Sequence, residues 1–449
     1  MSQHKAQISG WGNFPVANCI VSRPERMRSI ESIQKPMIAR GLGKSYGDAS
    51  LNTDRSVVLM ERLNRFVDFD PRTGVLCAEA GCTLAEILQV FVPRGWFLPV
   101  TPGTKFVTLG GCLAADVHGK NHHRDGAFSE YVTEFELVLA NGVRKRCSRE
   151  TDKALFWATI GGMGLTGVIT TITFQLMPIS SAYVEVVHHQ TKNLEATLDV
   201  LDDPLLDDKY SVAWMDCLSD GEGLGRGIVM NGHHVDAGRL SKKIKDPLVL
   251  PKQKMHTIPF DFPSFTLNAY SMKAFNQLYY YFQGQKTEPF IIDYEKYFYP
   301  LDTLHQWNRI YGKKGFLQYQ FVVPIETGRS ALNSIFQKIV AHRCSSFLAV
   351  LKKFGPQNEG YLSFPSKGYT LALDIPIKDS SIFPFLETID RIVLENGGKV
   401  YLAKDARLSR ENFLSMYPCF EEWHQIKSSV DPKCHYQSDL YRRLMQGGS

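Results

Sequence analysis

A chain of 449 residues is longer than the size at which one hydrophobic core usually stops growing, so two or more domains are expected. Apolar residues make up 44% of the chain and charged residues 22%, which excludes a disordered or fibrous protein. The net charge of +5 is small for this length, and lysines and arginines are mixed with acids, so no nucleic acid partner is expected.

The nine cysteines are scattered without a Cys-x-x-Cys pair, which favours reduced, buried thiols over a disulfide framework. The N-terminal residues contain no apolar signal segment. No window approaches the roughly 18 uninterrupted apolar residues that a membrane span requires. We therefore expect a cytoplasmic protein.

The first element is a short buried strand, Met37 to Ala39, that leads into a glycine-rich loop. The loop reads Arg40-Gly41-Leu42-Gly43-Lys44-Ser45-Tyr46-Gly47-Asp48. Part of it resembles a Walker A motif, but Ile38 occupies a position where that motif requires glycine, which excludes a P-loop nucleotide triphosphatase. Because glycine permits sharp turns and close backbone approach, the N–H groups of this loop, with Ser45, are expected to cradle a diphosphate.

Two capped helices follow. Thr83 opens a capping box ahead of an apolar run. Thr108 caps a second helix, which has Gly110 and Gly111 in its first turn and follows Pro102-Gly103-Thr104. Its N-terminus is predicted to bind an anion.

The next segment is rich in histidine and reads Asp116-Val117-His118-Gly119-Lys120-Asn121-His122-His123. No carboxylate or cysteine at ligand spacing accompanies the three histidines, so we predict no metal site. A cluster of polar groups beside the capped helix is expected to line an active site.

Asn141-Gly142 predicts a tight hairpin between two strands. Further on, Gly162-Met163-Gly164-Leu165-Thr166-Gly167 matches the letters of the dinucleotide-binding fingerprint, but a predicted helix precedes it and a β-branched run from Val168 follows. That order excludes the Rossmann motif, which must follow a strand and open a helix. The glycines either form a tight turn or allow close approach of a cofactor, and both interpretations stay open.

Beyond Pro178, strand-like and helical segments alternate, which predicts an α+β domain. The strand-like segments include Phe316 to Val323, Phe347 to Lys352 and Tyr369 to Ile375. Residues 259–282 are rich in aromatic side chains, including Phe265, and packing in the core is favoured over a lipid-facing flap.

These segments together resemble the vanillyl-alcohol-oxidase (PCMH-type) flavoprotein superfamily, and in particular its decaprenylphosphoryl-ribose-oxidising branch. The resemblance is carried by Gly10-Trp11-Gly12, the loop at 40–48, the HGKNHH string at 118–123, Leu317-Gln318-Tyr319-Gln320, and Tyr401-Leu402-Ala403-Lys404-Asp405. It implies a bipartite α+β fold. Residues 1–180 and 400–449 would bind FAD, and residues 181–399 would form a substrate-binding cap of antiparallel sheet and helices.

The resemblance also implies the site. Its cofactor-binding residues would be Arg40, Gly41, Leu42, Gly43, Lys44, Ser45, Tyr46, Gly47, Asp48, Pro102, Gly103, Thr104, Thr108, Gly110, Gly111, Ala115, His118, Gly119, Asn121, Gly164, Gly167, Val168, Ile169 and Tyr401. Its substrate pocket would contain Lys120, Gln318, Gln320, Lys352, Ala372 and Lys404.

Lys404, His118 and Tyr46 are the predicted catalytic residues. The apolar neighbours of Lys404 favour desolvation, which would lower its pKa and allow it to polarise or deprotonate a hydroxyl. An exposed lysine paired with Asp405 is the alternative. Alternation along the strand places Gln318 and Gln320 on one face, where they could read hydroxyl groups. Lys120 and Lys352 are expected to bind a phosphate, with ordinary surface charge as the alternative.

Two departures from the superfamily pattern matter. Lys44 stands where many of these oxidases carry the histidine that tethers FAD, so non-covalent FAD is expected. Ala372 stands where mycobacterial members carry the cysteine attacked by nitroso-forming inhibitors, so such covalent inhibition should be lost.

The function implied is oxidation of a sugar secondary alcohol, with the 2′-hydroxyl of a polyprenylphosphoryl-ribose becoming a ketone. This would be the first half of a 2′-epimerisation that feeds cell-envelope arabinose, completed by an NAD(P)H-dependent short-chain keto-reductase. A lipid-linked substrate would bring peripheral membrane contact. The alternatives are an alditol or aldonolactone oxidase that uses O₂ and a flavin-binding protein without turnover.

Overall fold

The computed structural model of the chain describes residues 3–206, 208–251, 254–263, 268–342, 346 and 348–446. Antiparallel sheets and helices share these residues, so the predicted α+β class is confirmed. Cys344, Phe265 and Phe347, which entered the sequence predictions, lie outside the described residues. No helix within the described ranges is both long enough and apolar enough to cross a membrane.

Four strands near the N-terminus form the first sheet. They are β1 (Gln3–Ser9), β2 (Val16–Ser22), β3 (Met37–Arg40) and β4 (Ser56–Leu59), in the order β1-β2-β4-β3. β3 pairs in parallel with β4 at the edge of this sheet, and its first two residues, Met37 and Ile38, are buried. β3 is the predicted strand that delivers the chain to the glycine-rich loop.

A five-stranded antiparallel sheet follows, in the order β5-β6-β10-β8-β9, with a two-stranded pair beside it. The strands are β5 (Phe66–Asp70), β6 (Val75–Glu79), β7 (Trp96–Phe97), β8 (Val132–Val138), β9 (Arg144–Ser148), β10 (Val168–Gln175) and β11 (Met177–Pro178), of which β7 pairs with β11. β8 and β9 form the hairpin predicted at Asn141-Gly142, closed by a hydrogen bond from the N–H of Leu139 to the carbonyl of Val143.

Four helices accompany these sheets: α1 (Leu84–Phe91), α2 (Leu109–Ala114), α3 (His122–Asp125) and α4 (Lys153–Thr159). The Thr83 capping box is present, and Thr108 caps α2 by accepting a hydrogen bond from the N–H of Gly111, so both predicted helix starts are confirmed. The 162–167 loop leads from α4 into β10, in the order predicted.

The largest sheet has eight strands, in the order β16-β12-β14-β13-β19-β20-β18-β21. Its strands are β12 (Tyr183–Thr191), β13 (Tyr210–Met215), β14 (Gly227–His234), β16 (Phe290–Asp293), β18 (Phe316–Pro324), β19 (Ala349–Phe354), β20 (Gly368–Pro376) and β21 (Lys399–Val400). β15 (His256–Thr257) pairs separately and in parallel with β17 (Leu304–His305).

The helices of this part are α5 (Leu194–Asp202), α6 (Ala269–Gly284), α7 (Tyr294–Phe298), α8 (Ile325–Ala341) and α9 (Ile382–Glu395). α6 buries Met272 and Asn276 but exposes Phe275, Leu278 and Tyr281. The prediction that the aromatic stretch packs in the core is therefore wrong for this helix.

After β21 the chain continues through α10 (Arg410–Met416), α11 (Phe420–Val430) and a π-helical turn, Tyr441–Met445. Trp423 of α11 is buried and donates to the carbonyl of Ala158 in α4. One apolar core contains side chains of the first sheet, the eight-stranded sheet and this C-terminal segment. The end of the chain is thereby packed against its beginning.

Candidate active site

One cavity collects most of the predicted site residues. Its lining comes from the glycine-rich loop, from residues 102–118 around α2, from residues 163–169, from residues 301–307, from β18, β19 and β20, and from Tyr401, Ala403 and Lys404. Cationic side chains predominate over carboxylates in this lining. The cations are Arg40, Lys44, Lys352 and Lys404, against Asp302 as the one carboxylate among the described lining residues.

The glycine-rich loop presents free N–H groups to the cavity. Among the described residues, the backbone N–H groups of Leu42, Gly43, Lys44 and Ser45 have no acceptor, whereas that of Tyr46 donates to Ala403. Gly43 has a φ of +63°, and a Cβ there would overlap the Arg40 guanidinium. The loop therefore offers unpaired donors next to a cation, which suits a diphosphate.

The α2 helix contributes space rather than donors, which corrects the predicted anion site. The N–H groups of Leu109, Gly110 and Gly111 already donate to Cys82, Ala80 and the Thr108 hydroxyl. The glycines around α2 keep side chains out of the cavity. A Cβ at Gly103 would meet nothing within 4 Å, so the space there belongs to the cavity.

The glycines of the 162–167 loop form a turn that opens onto the cavity, so the two interpretations of them are compatible. Gly164, Gly167 and Ile169 line the cavity, and Gly164 has a φ of +76°. Val168 is fully buried in a separate apolar cluster and does not line it.

Strand alternation builds the opposite wall. Gln318 and Gln320 line the cavity, while Tyr319 between them points to the other face and donates to Asp390 at 2.7 Å. The one-face prediction for the glutamines is confirmed. Ala372 stands opposite Gln320 on β20, and Lys352 extends from β19 into the same wall.

His118 connects this wall to the segment around α2. Its Nε2 lies 3.0 Å from the amide nitrogen of Gln320, and its Nδ1 lies 3.2 Å from Nζ of Lys352. Burial and the nearby Lys352 charge hold the pKa of His118 well below its ordinary value, so the imidazole is neutral. Burial, with the charge of Lys404, lowers the pKa of Lys352 to about 7. Near neutral pH Lys352 can therefore be an ammonium or an amine, while His118 stays uncharged.

Lys404 is half-buried, and its ammonium lies 4.2 Å from the centre of the Tyr46 ring. Burial lowers the pKa of Lys404, and the negative charge of Asp374 opposes that effect. Asp405 pairs instead with Arg443, at 2.8 Å. The alternative of an exposed lysine paired with Asp405 is therefore wrong.

Lys44 lies at another part of the cavity, with its ammonium 3.2 Å from the centre of the Trp11 ring. Burial lowers its pKa to about 8, and Asp302 partly restores it. This lysine can neutralise an anion held by the loop.

Comparison with known proteins identifies the family of this chain. A model of the FAD binding domain matches residues 25–148, and a model of D-arabinono-1,4-lactone oxidase matches residues 311–444. The decaprenylphosphoryl-β-D-ribose oxidase of Mycolicibacterium smegmatis is 38% identical over 98% of this chain and 97% of its own length. The chain belongs to this oxidase family.

Two other relatives share part or most of the chain. The uncharacterized protein in the mprA 5′ region of Streptomyces coelicolor is 31% identical over 81% of this chain and 99% of its own length. The human Δ(24)-sterol reductase is 27% identical over 31% of this chain and 27% of its own length. The protein is an FAD-dependent oxidoreductase, as the sequence predicted.

The cavity fits this cofactor. The unpaired N–H groups of the glycine-rich loop, beside Arg40 and Lys44, suit the FAD diphosphate, and the glycines leave the adjacent wall free of side chains. Further predicted cofactor residues line the same cavity, namely Pro102, Thr104, Ala115 and Tyr401.

Two predicted cofactor residues have a structural role instead. Asp48 is buried and receives two hydrogen bonds from Arg443, at 2.9 and 2.8 Å. Gly47 packs so closely on the carbonyl of Asp405 that any side chain would overlap it. Both residues attach the glycine-rich loop to the C-terminal segment and do not line the cavity.

The HGKNHH string is divided between the cavity and its support. His118 lines the cavity, whereas Lys120 donates to the carbonyl of Tyr297 and lies 3.9 Å from the centre of that ring. Lys120 therefore does not reach the cavity, contrary to its predicted role as a phosphate ligand. Asn121 donates to Pro99 and Asp125, and the tight packing of Gly119 against Thr101 leaves no room for a side chain.

The other two histidines have separate protein partners. His122 accepts from the N–H of Gly355, and His123 lies 3.0 Å from the carbonyl of Asp208. The described part of the chain contains no group of three or more His, Cys, Asp or Glu placed to hold a metal.

The sequence assigned no role to several residues that build the site. Asp302, Leu304 and Trp307 come from an irregular segment with no periodic signal. Asp374 is a fully buried carboxylate in the otherwise apolar strand β20. The sequence feature that could have identified Asp374 is that it is the only acidic residue in the run Leu371 to Pro376.

Proposed function

We propose that this enzyme oxidises the 2′-hydroxyl of a polyprenylphosphoryl-ribose to the 2′-ketone. The observation that carries the proposal is the identity with the mycobacterial decaprenylphosphoryl-β-D-ribose oxidase, which extends over 98% of this chain. The excess of cations in the cavity supports a substrate and a cofactor that both carry phosphate.

FAD is held without a covalent bond in this proposal. The backbone of residues 42–45 binds the diphosphate, and Arg40 and Lys44 neutralise it. Lys44 occupies the position at which a tethering histidine would stand, and a lysine forms no such link. Tyr46 and His118 line the same cavity. In this proposal they contact the end of the flavin that takes part in the reaction.

The bound flavin supplies the redox chemistry, because it accepts the hydride that leaves the carbinol carbon. Lys404 accepts the hydroxyl proton, since its lowered pKa makes the amine form accessible near neutral pH. Gln318 and Gln320 orient the sugar through its hydroxyl groups. Lys352, joined to His118, provides the charge that attracts the substrate phosphate.

The exposed face of α6 is proposed to contact a lipid bilayer. This helix contains no Asp or Glu, and it presents Tyr270, Phe275, Leu278, Tyr281 and Phe282 to solvent. Aromatic side chains are favoured at the membrane–water interface, and a helix with one apolar face can lie in it. A prenyl-linked substrate would be met at such a surface.

Flotation with anionic liposomes tests this contact. Replacing Leu278 and Tyr281 with aspartate should abolish co-flotation and leave the oxidation of a short-chain substrate unchanged. Leu205→Asp is the matched control, because Leu205 is a highly exposed apolar residue outside α6. Co-flotation that survives the double change would refute the bilayer contact.

The ketone product requires a second enzyme if the epimer is to form. We assign that step to an NAD(P)H-dependent keto-reductase that delivers hydride to the opposite face. Reduction of the product with borodeuteride should place deuterium at C2′ alone. Deuterium at another carbon would contradict the proposed regiochemistry.

The match of residues 311–444 to D-arabinono-1,4-lactone oxidase supports a second candidate, an aldonolactone oxidase that uses O₂. The deciding experiment mixes the holoenzyme anaerobically with a short-chain prenylphosphoryl-ribose, with D-arabinono-1,4-lactone and with xylitol, and follows loss of the flavin absorbance. We expect bleaching with the prenylphosphoryl-ribose. Bleaching only with the lactone or the alditol would overturn the proposal. No bleaching with any of the three compounds would also overturn it and would favour a flavin-binding protein without turnover.

A further inference from the structure

A buried carboxylate lies behind the wall that carries the catalytic lysine. Asp374 on β20 is fully buried and does not line the cavity. No lysine or arginine among the described residues lies within 4 Å of its carboxylate oxygens, although Lys404 is close enough to interact with it electrostatically. An unpaired buried carboxylate is costly, which calls for a functional explanation.

Hydrogen bonds lead from Asp374 to the cavity. Its Oδ1 accepts from the amide nitrogen of Gln318 at 2.5 Å, and Gln318 stands directly opposite it in the β18–β20 pairing. Gln318 and Tyr46 both line the cavity, so the amide that Asp374 holds lies in the same site as the Tyr46 ring. The Lys404 ammonium lies against the ring of the same Tyr46.

The other oxygen of the carboxylate is also occupied. Tyr311 donates to Oδ2 at 3.4 Å. The charged and titratable groups around Asp374 are therefore Tyr311, Tyr46 and Lys404, with Lys352 acting on Lys404 and Asp302 acting on Tyr46. Lys404 is the nearest of these that can carry a positive charge.

We propose that Asp374 is a positioning residue for the oxidation: it holds the Gln318 carboxamide at the cavity wall and serves as the counter-charge of Lys404 from behind that wall. The proposal rests on the role proposed above for Lys404. Asp374 does not touch the substrate. Burial raises the pKa of Asp374 to about 7, so above that pH its negative charge favours the ammonium form of Lys404, which remains a stronger base than burial alone would allow. It can therefore accept the proton that leaves the hydroxyl as the carbon loses hydride.

Asp374→Asn tests the charge, because asparagine retains the size and an acceptor oxygen. The rate of anaerobic flavin reduction in the wild type should rise with pH as Lys404 loses its proton. In the variant this limb should move to lower pH, by on the order of one unit, since the removed negative charge no longer favours the ammonium form. Asp374→Glu should return the limb toward its original position. KM should change less than kcat.

Tyr319→Phe is the matched control. Tyr319 lies on the opposite face of β18 and donates to Asp390, another buried carboxylate, so its loss perturbs packing without touching this network. The pH limb of Tyr319→Phe should coincide with that of the wild type. A limb that does not move in Asp374→Asn, or one that moves equally in Tyr319→Phe, would overturn the proposal.

A second measurement needs no substrate. Competitive acetylation of the holoenzyme across a pH series, read by mass spectrometry of the Lys404 peptide, gives the midpoint at which this amine becomes reactive. That midpoint should fall in Asp374→Asn and remain in Tyr319→Phe. An unchanged midpoint refutes the role of Asp374, whereas a changed midpoint in a protein that no prenylphosphoryl-ribose bleaches refutes only the proposed substrate.

Discussion

Arg443 is the residue whose loss should most disturb the attachment of the C-terminal segment to the glycine-rich loop. It donates twice to Asp48, once to Asp405 at 2.8 Å, and once to the carbonyl of Leu408 at 2.7 Å. Both carboxylates are buried. After Arg443→Met, Asp405 keeps the N–H groups of Arg407 and Leu408, but Asp48 has no other cationic partner within the described part of the chain.

Removing one partner of a buried ion pair costs about 3–5 kcal/mol, because a charge is left without compensation. Burial raises the pKa of Asp48 against the opposing effect of Arg443. Burial would also raise the pKa of Asp405, but Arg443 and Arg407 hold it below its ordinary value. Without Arg443 both values rise, so the carboxylates become neutral more readily in acid. The stability difference between wild type and variant should therefore be largest at neutral pH and should shrink as pH falls.

Thermal unfolding, followed by the fluorescence of released FAD at neutral and at mildly acidic pH, measures this effect. Arg62→Met is the control, because the Arg62–Glu25 pair is exposed on both sides and should contribute at most about 1 kcal/mol. Adding Asp48→Asn to Arg443→Met should recover part of the loss. An Arg443→Met protein as stable as Arg62→Met, or equally destabilised at both pH values, would refute the reasoning.

Three further predictions concern the cavity. Lys404→Met should retain FAD but lower the rate of anaerobic flavin reduction, measured by stopped-flow absorbance, by roughly 10²–10⁴-fold. The rate in this variant should no longer rise with pH. A fully active variant would exclude the proposed role of Lys404. Acid precipitation should leave all the flavin in the supernatant, and flavin in the pellet would show a covalent link despite Lys44. In the presence of a substrate that reduces the flavin, a nitroaromatic inhibitor can be reduced to the nitroso compound. Ala372→Cys should then form a covalent adduct by addition of its thiol to the nitroso group, which the wild type does not form, as intact-protein mass would reveal.

Local rules predicted the scaffold of the site well. The strand before the glycine-rich loop, the caps at Thr83 and Thr108, the Asn141-Gly142 hairpin and the shared face of Gln318 and Gln320 all depend on neighbours within a few residues. Such short-range patterns determine backbone geometry wherever the chain is placed. These elements can therefore be predicted from a single sequence.

The errors arose where long-range contacts decide the outcome. The capped helix start at Thr108 indicated an anion site, but the amides of Leu109 and Gly110 donate to Cys82 and Ala80, in an earlier part of the chain. The family resemblance implied that Lys120 lines the substrate pocket, yet it donates instead to the carbonyl of Tyr297, far along the chain. Asp48 similarly meets Arg443 near the C-terminus. The aromatic residues of α6 were predicted to pack in the core, because aromatic composition alone does not distinguish packed from exposed side chains.

The central step of the proposed reaction is hydride transfer from C2′ of a prenylphosphoryl-ribose. Stopped-flow mixing of the anaerobic holoenzyme with substrate deuterated at C2′, and separately at C3′, tests it in one experiment. Deuterium at C2′ should slow flavin bleaching severalfold, and deuterium at C3′ should leave the rate unchanged. Equal rates for both substrates and the unlabelled compound, or slowing by C3′ deuterium alone, would contradict the proposed oxidation.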